Sequence, residues 1–171
     1  MTGDAPSERI TALTAGDVDD LCVLAAEIWR AHYPAIITAA QIEYMLAQRY
    51  NPAVVREELA RGDLWWDKLS VNGRMVGFAS YFLLHNARSM KLDKLYVHTA
   101  YQRRGYGRML IDRAVTMARA YGCDALTLAV NKRNESALAA YAKHGFAIAE
   151  SVVKDIGGGF VMDDYVMSLH V

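Results

Sequence analysis

Apolar residues recur every three or four positions through the first third of the chain, the spacing of helices that bury one face. Each helix start carries a capping signal: Asp17 for the first, the pair Thr38 and Gln41 for the second, and Asn51 followed by proline for the third. The predicted helices cover 17–33, 38–50 and 51–62, and a glycine closes the last. This third of the chain is therefore predicted to be helical.

Runs rich in β-branched and aromatic residues follow. Asn72 and Gly73 separate two of them, and this dipeptide suits the positive φ angles of a two-residue hairpin. A third run extends the antiparallel meander, and helices then alternate with strands. The predicted strands are 64–71, 75–84, 89–98, 125–130, 146–154 and 160–169, with helices at 103–121 and 134–144. The order predicts one domain over 1–171 of the α/β (α+β) class, with a mixed, mostly antiparallel twisted sheet and four to five helices.

Composition narrows the class of protein. The chain has 171 residues, which suggests one domain at roughly 150 residues each. Its 19 basic and 19 acidic residues cancel, so no overall field draws it to nucleic acid or to an anionic membrane. The longest apolar runs, 21–26 and 137–142, fall far short of the roughly 20 residues of a membrane span, and the N-terminus does not resemble a signal peptide. We expect a cytoplasmic protein with no nucleic-acid or membrane partner. Neither cysteine has metal-site spacing, so no metal is expected.

A glycine loop, Gln102–Arg108, lies between a predicted strand and a predicted helix. Gly105 and Gly107 allow a tight turn with exposed amides, and the helix N-terminus adds about half a positive charge. The loop also holds the cations Arg103, Arg104 and Arg108. This chemistry suits a pyrophosphate, although a solvated basic helix start would have the same sequence. Nucleoside-triphosphate and dinucleotide loops are disfavoured, because no Lys-Ser or Lys-Thr pair follows the glycines and Leu110 stands where a third small residue belongs.

The loop and a second block resemble the signature of the GNAT superfamily of acyl-CoA-dependent N-acetyltransferases. L-D-K-L-Y-V-H, Q-R-R-G-Y-G-R and N-K-R-N-E-S-A-L-A-A-Y-A-K-H-G-F occur in that family's order and spacing, and the likeness covers roughly residues 75–170. I-W-R-A-H-Y-P and Q-I-E-Y-M-L resemble its polyamine-acetyltransferase-like branch. The resemblance implies a GNAT fold with a central splay in the sheet, acetyl-CoA as cosubstrate, and direct transfer of the acetyl group to a primary amine.

The resemblance also implies which residues bind the cofactor. Amides of 103–108 would hold the coenzyme A pyrophosphate, and the backbone of the preceding strand would pair with the pantetheine once the next strand splays away. Asn134 is expected to cap a helix and also to contact the coenzyme arm, with Asn131 as a second contact. The full set is Leu95, Tyr96, Val97, Gln102, Arg103, Arg104, Gly105, Tyr106, Gly107, Arg108, Asn131 and Asn134.

Two residues are candidates for proton transfer. Tyr141 lies two helical turns after Asn134 and reads on its own as a core aromatic, but the resemblance makes it the acid that protonates the departing thiolate. A lysine-like amine with a pKa of about 10.4 must first lose a proton at pH 7. Strand alternation predicts Asp93 on the same face as Leu95 and Val97, and the resemblance implies a base there, acting directly or through water. Ion pairing with a neighbouring lysine is the alternative role for Asp93, and Glu27 is the reserve base.

The acceptor side is less defined. Glu27, Trp29, Tyr33 and Tyr44 are the expected substrate-binding residues, with ordinary core packing as the alternative. Adjacent carboxylates at 163–164 would either attract a cationic amine together or point to opposite faces of a strand. The tryptophans at 65–66 and the methionines are assigned to the core and to a homodimer contact.

Three functions remain open: acetylation of a small-molecule amine, acetylation of a protein N-terminus or lysine, and a non-catalytic acyl-CoA-binding regulatory module.

Overall fold

The computed structural model describes residues 5–85 and 88–171. The helices are α1 (Val18–His32), α2 (Ala39–Arg49), α3 (Pro52–Leu59), α4 (Tyr106–Ala120) and α5 (Glu135–Lys143). The strands are β1 (Glu8–Ala12), β2 (Leu64–Val71), β3 (Arg74–Leu83), β4 (Ser89–Val97), β5 (Ala125–Asn131), β6 (Ala147–Gly157) and β7 (Phe160–His170). They form one sheet in the order β1-β2-β3-β4-β5-β7-β6, antiparallel except for the β4–β5 pair. The predicted mixed α/β class is confirmed.

Most helices and strands begin and end within a few residues of the bounds predicted from the sequence. Asn72 and Gly73 have φ angles of 51° and 79°, which confirms the predicted hairpin turn between β2 and β3. The prediction of a wholly helical first third is wrong, because β1 pairs with β2 along the sheet edge. α3 ends at Leu59, so the glycine predicted to close it lies beyond its end.

Two cores sandwich the sheet. α1, α2 and α3 pack on one face around Trp29, Trp66 and Phe78, whereas α4 and α5 pack on the other around Leu110 and Leu126. Trp66 is 2% exposed, and Trp65 packs against the rings of Tyr81 and Tyr121. Both tryptophans thus serve the core, and they give no support to the predicted homodimer contact.

The sheet opens between β4 and β5. The two strands pair only where Ser89–Lys91 meets Ala125–Thr127, and the rest of β5 pairs with β7 on its other side. The predicted splay is therefore present. It leaves one edge of β4 from residue 92 onward without a neighbouring strand.

A β-bulge in β4 changes which face each residue occupies. Ser80 pairs with Lys94 while Tyr81 pairs with Leu92, so Asp93 is an extra residue opposite no partner. Met90 and Leu92 before the bulge, and Leu95 and Val97 after it, all pack with the α4 core. Asp93 instead bonds Arg49 of α2, so the prediction that it shares a face with Leu95 and Val97 is wrong. Strict two-residue alternation fails here because one residue is inserted.

No helix in the described ranges, 5–85 and 88–171, is long and apolar enough to cross a membrane.

Candidate active site

A cavity of about 1370 Å³ opens where β4 and β5 separate. One part, here called the loop end, is lined by Gln102, Arg103, Gly105, Gly107, Asn134 and Tyr141. The opposite part, here called the α2 end, is lined by Tyr44, Gln48, Arg49, Lys91, Lys154 and Asp164. Leu95, Tyr96 and Val97 of β4 line the passage between them. The splay thus joins most of the predicted site residues in one space.

The glycine loop ends in a helix start that no side chain caps. Arg103 and Gly105 take left-handed backbone conformations, with φ of 60° and 83°, so α4 begins at Tyr106 rather than near Arg103 as predicted. Gln102 Nε2 donates to the Val97 carbonyl at 3.1 Å and ties the loop to the end of β4. The first amides of a helix have no acceptor within it. Those of α4 therefore remain available to an anion.

The loop's long side chains do not all reach the cavity. Arg103 and Arg108 line it, whereas Arg104 lies outside it, over the ring of Tyr101 at 5.5 Å. The Tyr106 ring is buried and its hydroxyl bonds the Glu8 carboxylate at 3.2 Å, so this residue offers the cavity little beyond its backbone. The cationic character of the loop end comes from two of its three arginines.

The two asparagines lie in the connection from β5 to α5: Asn131 ends the strand and Asn134 precedes the helix. Asn134 occupies the predicted N-cap position, but its side chain makes no capping bond and instead meets His32 Nε2 at 3.1 Å. The predicted capping bond is therefore wrong, because His32 of α1 takes the side-chain oxygen. Asn131 Oδ1 accepts from the Arg133 amide at 2.9 Å. Both asparagines line the cavity.

Tyr141 lines the loop end from α5 and packs edge-on against Phe146. Within the described ranges no group hydrogen-bonds its hydroxyl. Burial, together with the nearby Tyr96, raises the pKa of Tyr141 above its ordinary value. The phenol accordingly stays protonated near neutral pH. Both predicted roles, core packing and proton donation into the cavity, are compatible with this position.

Aromatic side chains at the end of α1 and directly after it pack against Tyr96 of β4 and form another wall. Trp29 and Tyr33 line the cavity with ring centroids 4.3 Å apart, and the Tyr33 and Tyr96 hydroxyls are 2.9 Å apart. Burial raises the pKa of Tyr33 well above its usual range, and the Tyr96 hydroxyl adds to this. Glu27 of the same helix lies outside the cavity, with its carboxylate 3.6 Å from His98 Nε2. The structure thus brings together every predicted substrate-binding residue except Glu27.

Asp93 is surrounded by cations. Its Oδ2 accepts from Arg49 Nη2 at 2.9 Å and from Lys94 Nζ at 2.8 Å, and Lys91 Nζ lies 3.8 Å from Oδ1. Burial alone would raise the pKa of Asp93, but the charges of Arg49 and Lys94 outweigh it and hold the pKa well below its usual range. This carboxylate is therefore ionised and a weak proton acceptor. The alternative role considered from the sequence, ion pairing with a neighbouring lysine, is present.

Contacts between α2 and the β6–β7 hairpin form one wall of the α2 end. Tyr44 Oη donates to the Ile156 carbonyl at 2.8 Å, and its ring lies where a Cβ on Gly157 or Gly158 would be. Gln41 Nε2 donates to the Val161 carbonyl at 2.9 Å instead of completing the predicted capping box. These bonds hold α2 against the hairpin and fix the position of Tyr44, a predicted substrate-binding residue.

The adjacent carboxylates of β7 point to opposite faces, one of the two arrangements expected from the sequence. Asp163 is exposed and paired with Lys132, whereas Asp164 lines the cavity. Burial and the neighbouring Asp163 raise the pKa of Asp164 above its ordinary value. Lys154 of β6 lies at the same end, exposed and without a charge partner in the described ranges.

Sequence reasoning did not identify Arg49 or Lys154 as site residues. Arg49 is the last residue of α2 and Lys154 lies on a largely exposed strand, so neither belongs to a local motif. The pairing of β6 and β7 beside the splay brings Lys154 to the cavity, and the bulge leaves Asp93 and Lys94 together on the face toward Arg49. Among the described residues there is no group of three side chains that could hold a metal ion.

Comparison with known proteins identifies relatives along almost the whole chain. The profile described as Acetyltransferase (GNAT) family matches residues 24–146. A protein named spermidine N(1)-acetyltransferase, from Thermoplasma acidophilum, is 24% identical over 161 residues, which cover 92% of this chain and 96% of that protein. An uncharacterized N-acetyltransferase of Mycobacterium tuberculosis is 27% identical over 151 residues, which cover 88% of this chain and 96% of that protein.

Solved structures share the fold. The PaiA N-acetyltransferase of Thermoplasma acidophilum, crystallised with coenzyme A, superposes with a TM-score of 0.83 at 22% identity, covering 96% of this chain and 99% of that one. A GCN5-related N-acetyltransferase of Rhodopseudomonas palustris gives a TM-score of 0.80 at 23% identity, and the match covers 100% of this chain and 99% of that one.

Proposed function

The chain belongs to the acetyltransferase (GNAT) family, whose members are acetyl-CoA-dependent N-acetyltransferases, and from that premise we propose that it acetylates the primary amine of a small molecule by direct attack. One observation carries the proposal: the uncapped start of α4, the free edge of β4 and Tyr141 line a single cavity. The α2 end of the same cavity is left for the second reactant. No acyl-enzyme is needed, because both reactants can occupy the cavity at once.

The loop end fits the chemistry of coenzyme A. The uncapped amides of α4, with Arg103 and Arg108, supply donors and positive charge for a pyrophosphate. The edge of β4 at 95–97 supplies backbone groups for the amides of a pantetheine arm, as in strand addition. Acetyl-CoA supplies the activated acyl group when it is bound, and Asn131 and Asn134 lie where they would flank its arm.

Tyr141 serves as the general acid. Its raised pKa keeps the proton on the phenol at neutral pH, and its side chain lines the cavity. It would donate this proton to the departing sulfur, which lowers the cost of expelling a thiolate. The base role predicted for Asp93 remains a prediction. Its two short bonds to Arg49 and Lys94 disfavour that role, directly or through water.

Two observations bear on the acceptor. The relative named spermidine N(1)-acetyltransferase makes a polyamine the first class to test, and the Asp164 carboxylate facing the cavity suits a cationic amine. Acetylation of a protein N-terminus or lysine uses the same chemistry with a larger acceptor. A non-catalytic acyl-CoA-binding module would keep the loop end without turnover.

The test compares Tyr141→Phe with the wild type. Free thiol is followed with acetyl-CoA and a panel of polyamines, monoamines and peptides, and the dissociation constant for coenzyme A is measured by calorimetry. Loss of the acid is expected to lower kcat by roughly 10²-fold or more while coenzyme affinity changes little.

Tyr165→Phe is the matched control, since it removes a phenol hydroxyl from β7 outside the cavity. If Tyr141→Phe turned over as fast as the wild type, the role of Tyr141 as the acid would be refuted. Tight coenzyme binding without thiol release for any acceptor would favour the regulatory module instead.

A further inference from the structure

We propose that Asp164 is the group that takes the proton from the attacking amine, a role that rests on the acetyltransferase function proposed above. Asp164 lies on β7 directly opposite Asn131 of β5, beside the splay. It lines the α2 end of the cavity, on the same side of the sheet as Asp93 and the α2 wall. An amine entering from the α2 end would meet this carboxylate on its way toward the acyl group.

The carboxylate of Asp164 is unusual in having an unused buried oxygen. Oδ1 is buried and has no hydrogen-bond partner among the residues that the structure describes. Leaving a buried polar group unpaired costs about 1–3 kcal/mol, and more for a charged one. The cost falls when the carboxyl takes up a proton and becomes neutral, so the surroundings of Asp164 favour proton acceptance.

The charged groups around Asp164 are already committed elsewhere. On α2 and β4, Arg49 and Lys91 lie against Asp93, at 2.9 and 3.8 Å. Beside it on β7, Asp163 is paired with Lys132, which follows β5. These cations still lower the pKa of Asp164, but burial and the Asp163 charge outweigh them and raise it above its ordinary value.

From β6, Val152 pairs directly with Asp164, and Lys154 lies diagonally across from it on the same face. Lys154 is exposed and solvated, so it neutralises the carboxylate only weakly. Asp164 is thus the carboxylate of this cavity that has no direct ion-pair partner within the described ranges. That leaves it free to accept a proton, whereas Asp93 is not.

The proton balance is complete with these two residues. The ammonium gives one proton to the Asp164 carboxylate, and the freed nitrogen lone pair forms the N–C bond to the acyl carbon. The C–S bond breaks, and Tyr141 donates its proton to the sulfur. The second proton leaving the nitrogen restores the Tyr141 phenol, while Asp164 releases its own proton to solvent. One ammonium and one thioester thus give one amide, one thiol and one released proton.

The experiment is a pH profile of kcat/KM for Asp164→Asn, with Asp163→Asn as the matched control. Both variants remove one carboxylate from neighbouring positions of β7, but only Asp164 lines the cavity. Asp164→Asn is expected to lower kcat about 10²-fold at pH 7. The rate should recover toward pH 10, where the free amine deprotonates without help. Asp163→Asn should keep near-wild-type turnover at pH 7 and shift only the acidic limb of the profile to lower pH, because the Asp163 charge no longer raises the pKa of Asp164. Coenzyme affinity should be unchanged in both.

A second variant distinguishes the loss of a proton acceptor from misfolding. Asp164→Ala is assayed with and without added formate, and a small carboxylate that restores activity supports a missing proton acceptor. If the wild type turned over and Asp164→Asn kept its pH profile, this proposal alone would be overturned. Failure of formate to rescue an impaired Asp164→Ala would overturn it as well. A profile altered by Asp93→Asn and not by Asp164→Asn would return the role to Asp93. A wild type without turnover on any amine would instead refute the proposed function, and this proposal with it.

Discussion

Gly77 of β3 lies directly beside β4, opposite Val97, so adding one methyl group there tests how the sheet supports the strand expected to bind the cofactor. A Cβ at Gly77 would stand 2.8 Å from the Tyr96 carbonyl oxygen, about 0.6 Å short of ordinary contact at 3.4 Å. It would also stand 3.4 Å from the Val97 side chain and 3.5 Å from that of Leu69. The obstructing atom is backbone in a paired strand, so no side-chain rotation relieves the overlap.

The expected cost of Gly77→Ala follows from this overlap. Overpacking a core by one methyl group costs roughly 1–3 kcal/mol. Replacing glycine by alanine also restricts the unfolded chain, which offsets about 0.4–1 kcal/mol of that cost. We therefore expect a net destabilisation of about 1–2 kcal/mol, or roughly 2–8 °C in Tm for a chain of this size. Since β4 must move, coenzyme A should also bind several-fold more weakly.

Gly62→Ala is the control, because nothing lies within 4 Å of its Cβ and its φ angle is not in the left-handed region. That variant should match or slightly exceed the wild type in stability. Urea unfolding gives the free energies, and calorimetry gives the dissociation constant for coenzyme A. If Gly77→Ala were as stable as Gly62→Ala and bound coenzyme A equally well, the inferred close packing of β3 on β4 would be refuted.

Two further predictions concern charges of the α2 end. The pKa of Asp93 is held below its ordinary value of 3.8, so its ion pairs stabilise the fold fully above that pH, and this stabilisation decreases progressively as the pH falls below 3.8 toward the lower pKa of the folded protein. Urea unfolding from pH 7 to pH 3 should show a flatter pH dependence for Asp93→Asn than for wild type, and equal slopes would contradict the assignment. Lys154→Gln removes an exposed cation from the α2 end and should lower KM for spermidine about two- to fivefold, with little change for a monoamine. Equal KM shifts for both amines would show that Lys154 does not act by charge.

Local signals in the sequence were enough to predict the elements that carry the loop end. A few consecutive residues are enough to specify the turn at 72–73, the glycine loop and the start of α5. β1 lacks such a signal, because a short, largely exposed strand is defined by its pairing with β2 rather than by its own pattern. The predicted capping bond of Asn134 likewise failed for a non-local reason, since His32 lies 102 residues earlier in the chain.

The α2 end could not be predicted because tertiary pairing decides both its charge and its geometry. The β6–β7 hairpin brings Lys154 and Asp164 to the cavity, and α2 adds Arg49 from more than 100 residues away. Whether a carboxylate there acts as an ion-pair partner or as a proton acceptor depends on how many cations reach it. Asp93 and Asp164 are the same residue type, yet their pKa values shift in opposite directions because Arg49 and Lys94 bond only the first.

The bulge in β4 decides which carboxylate receives these cations. If the alternation of Met90 and Leu92 continued without the bulge, Lys94 would face the α4 core and Asp93 would lie on the opposite face without it. The inserted residue leaves Asp93 and Lys94 side by side on the opposite face, so the lysine reaches the aspartate at 2.8 Å and Arg49 closes over both. Arg49 and Lys94 therefore bond Asp93. Asp164 has no direct ion-pair partner in the described ranges, so it is the carboxylate of the cavity that can accept a proton from the amine.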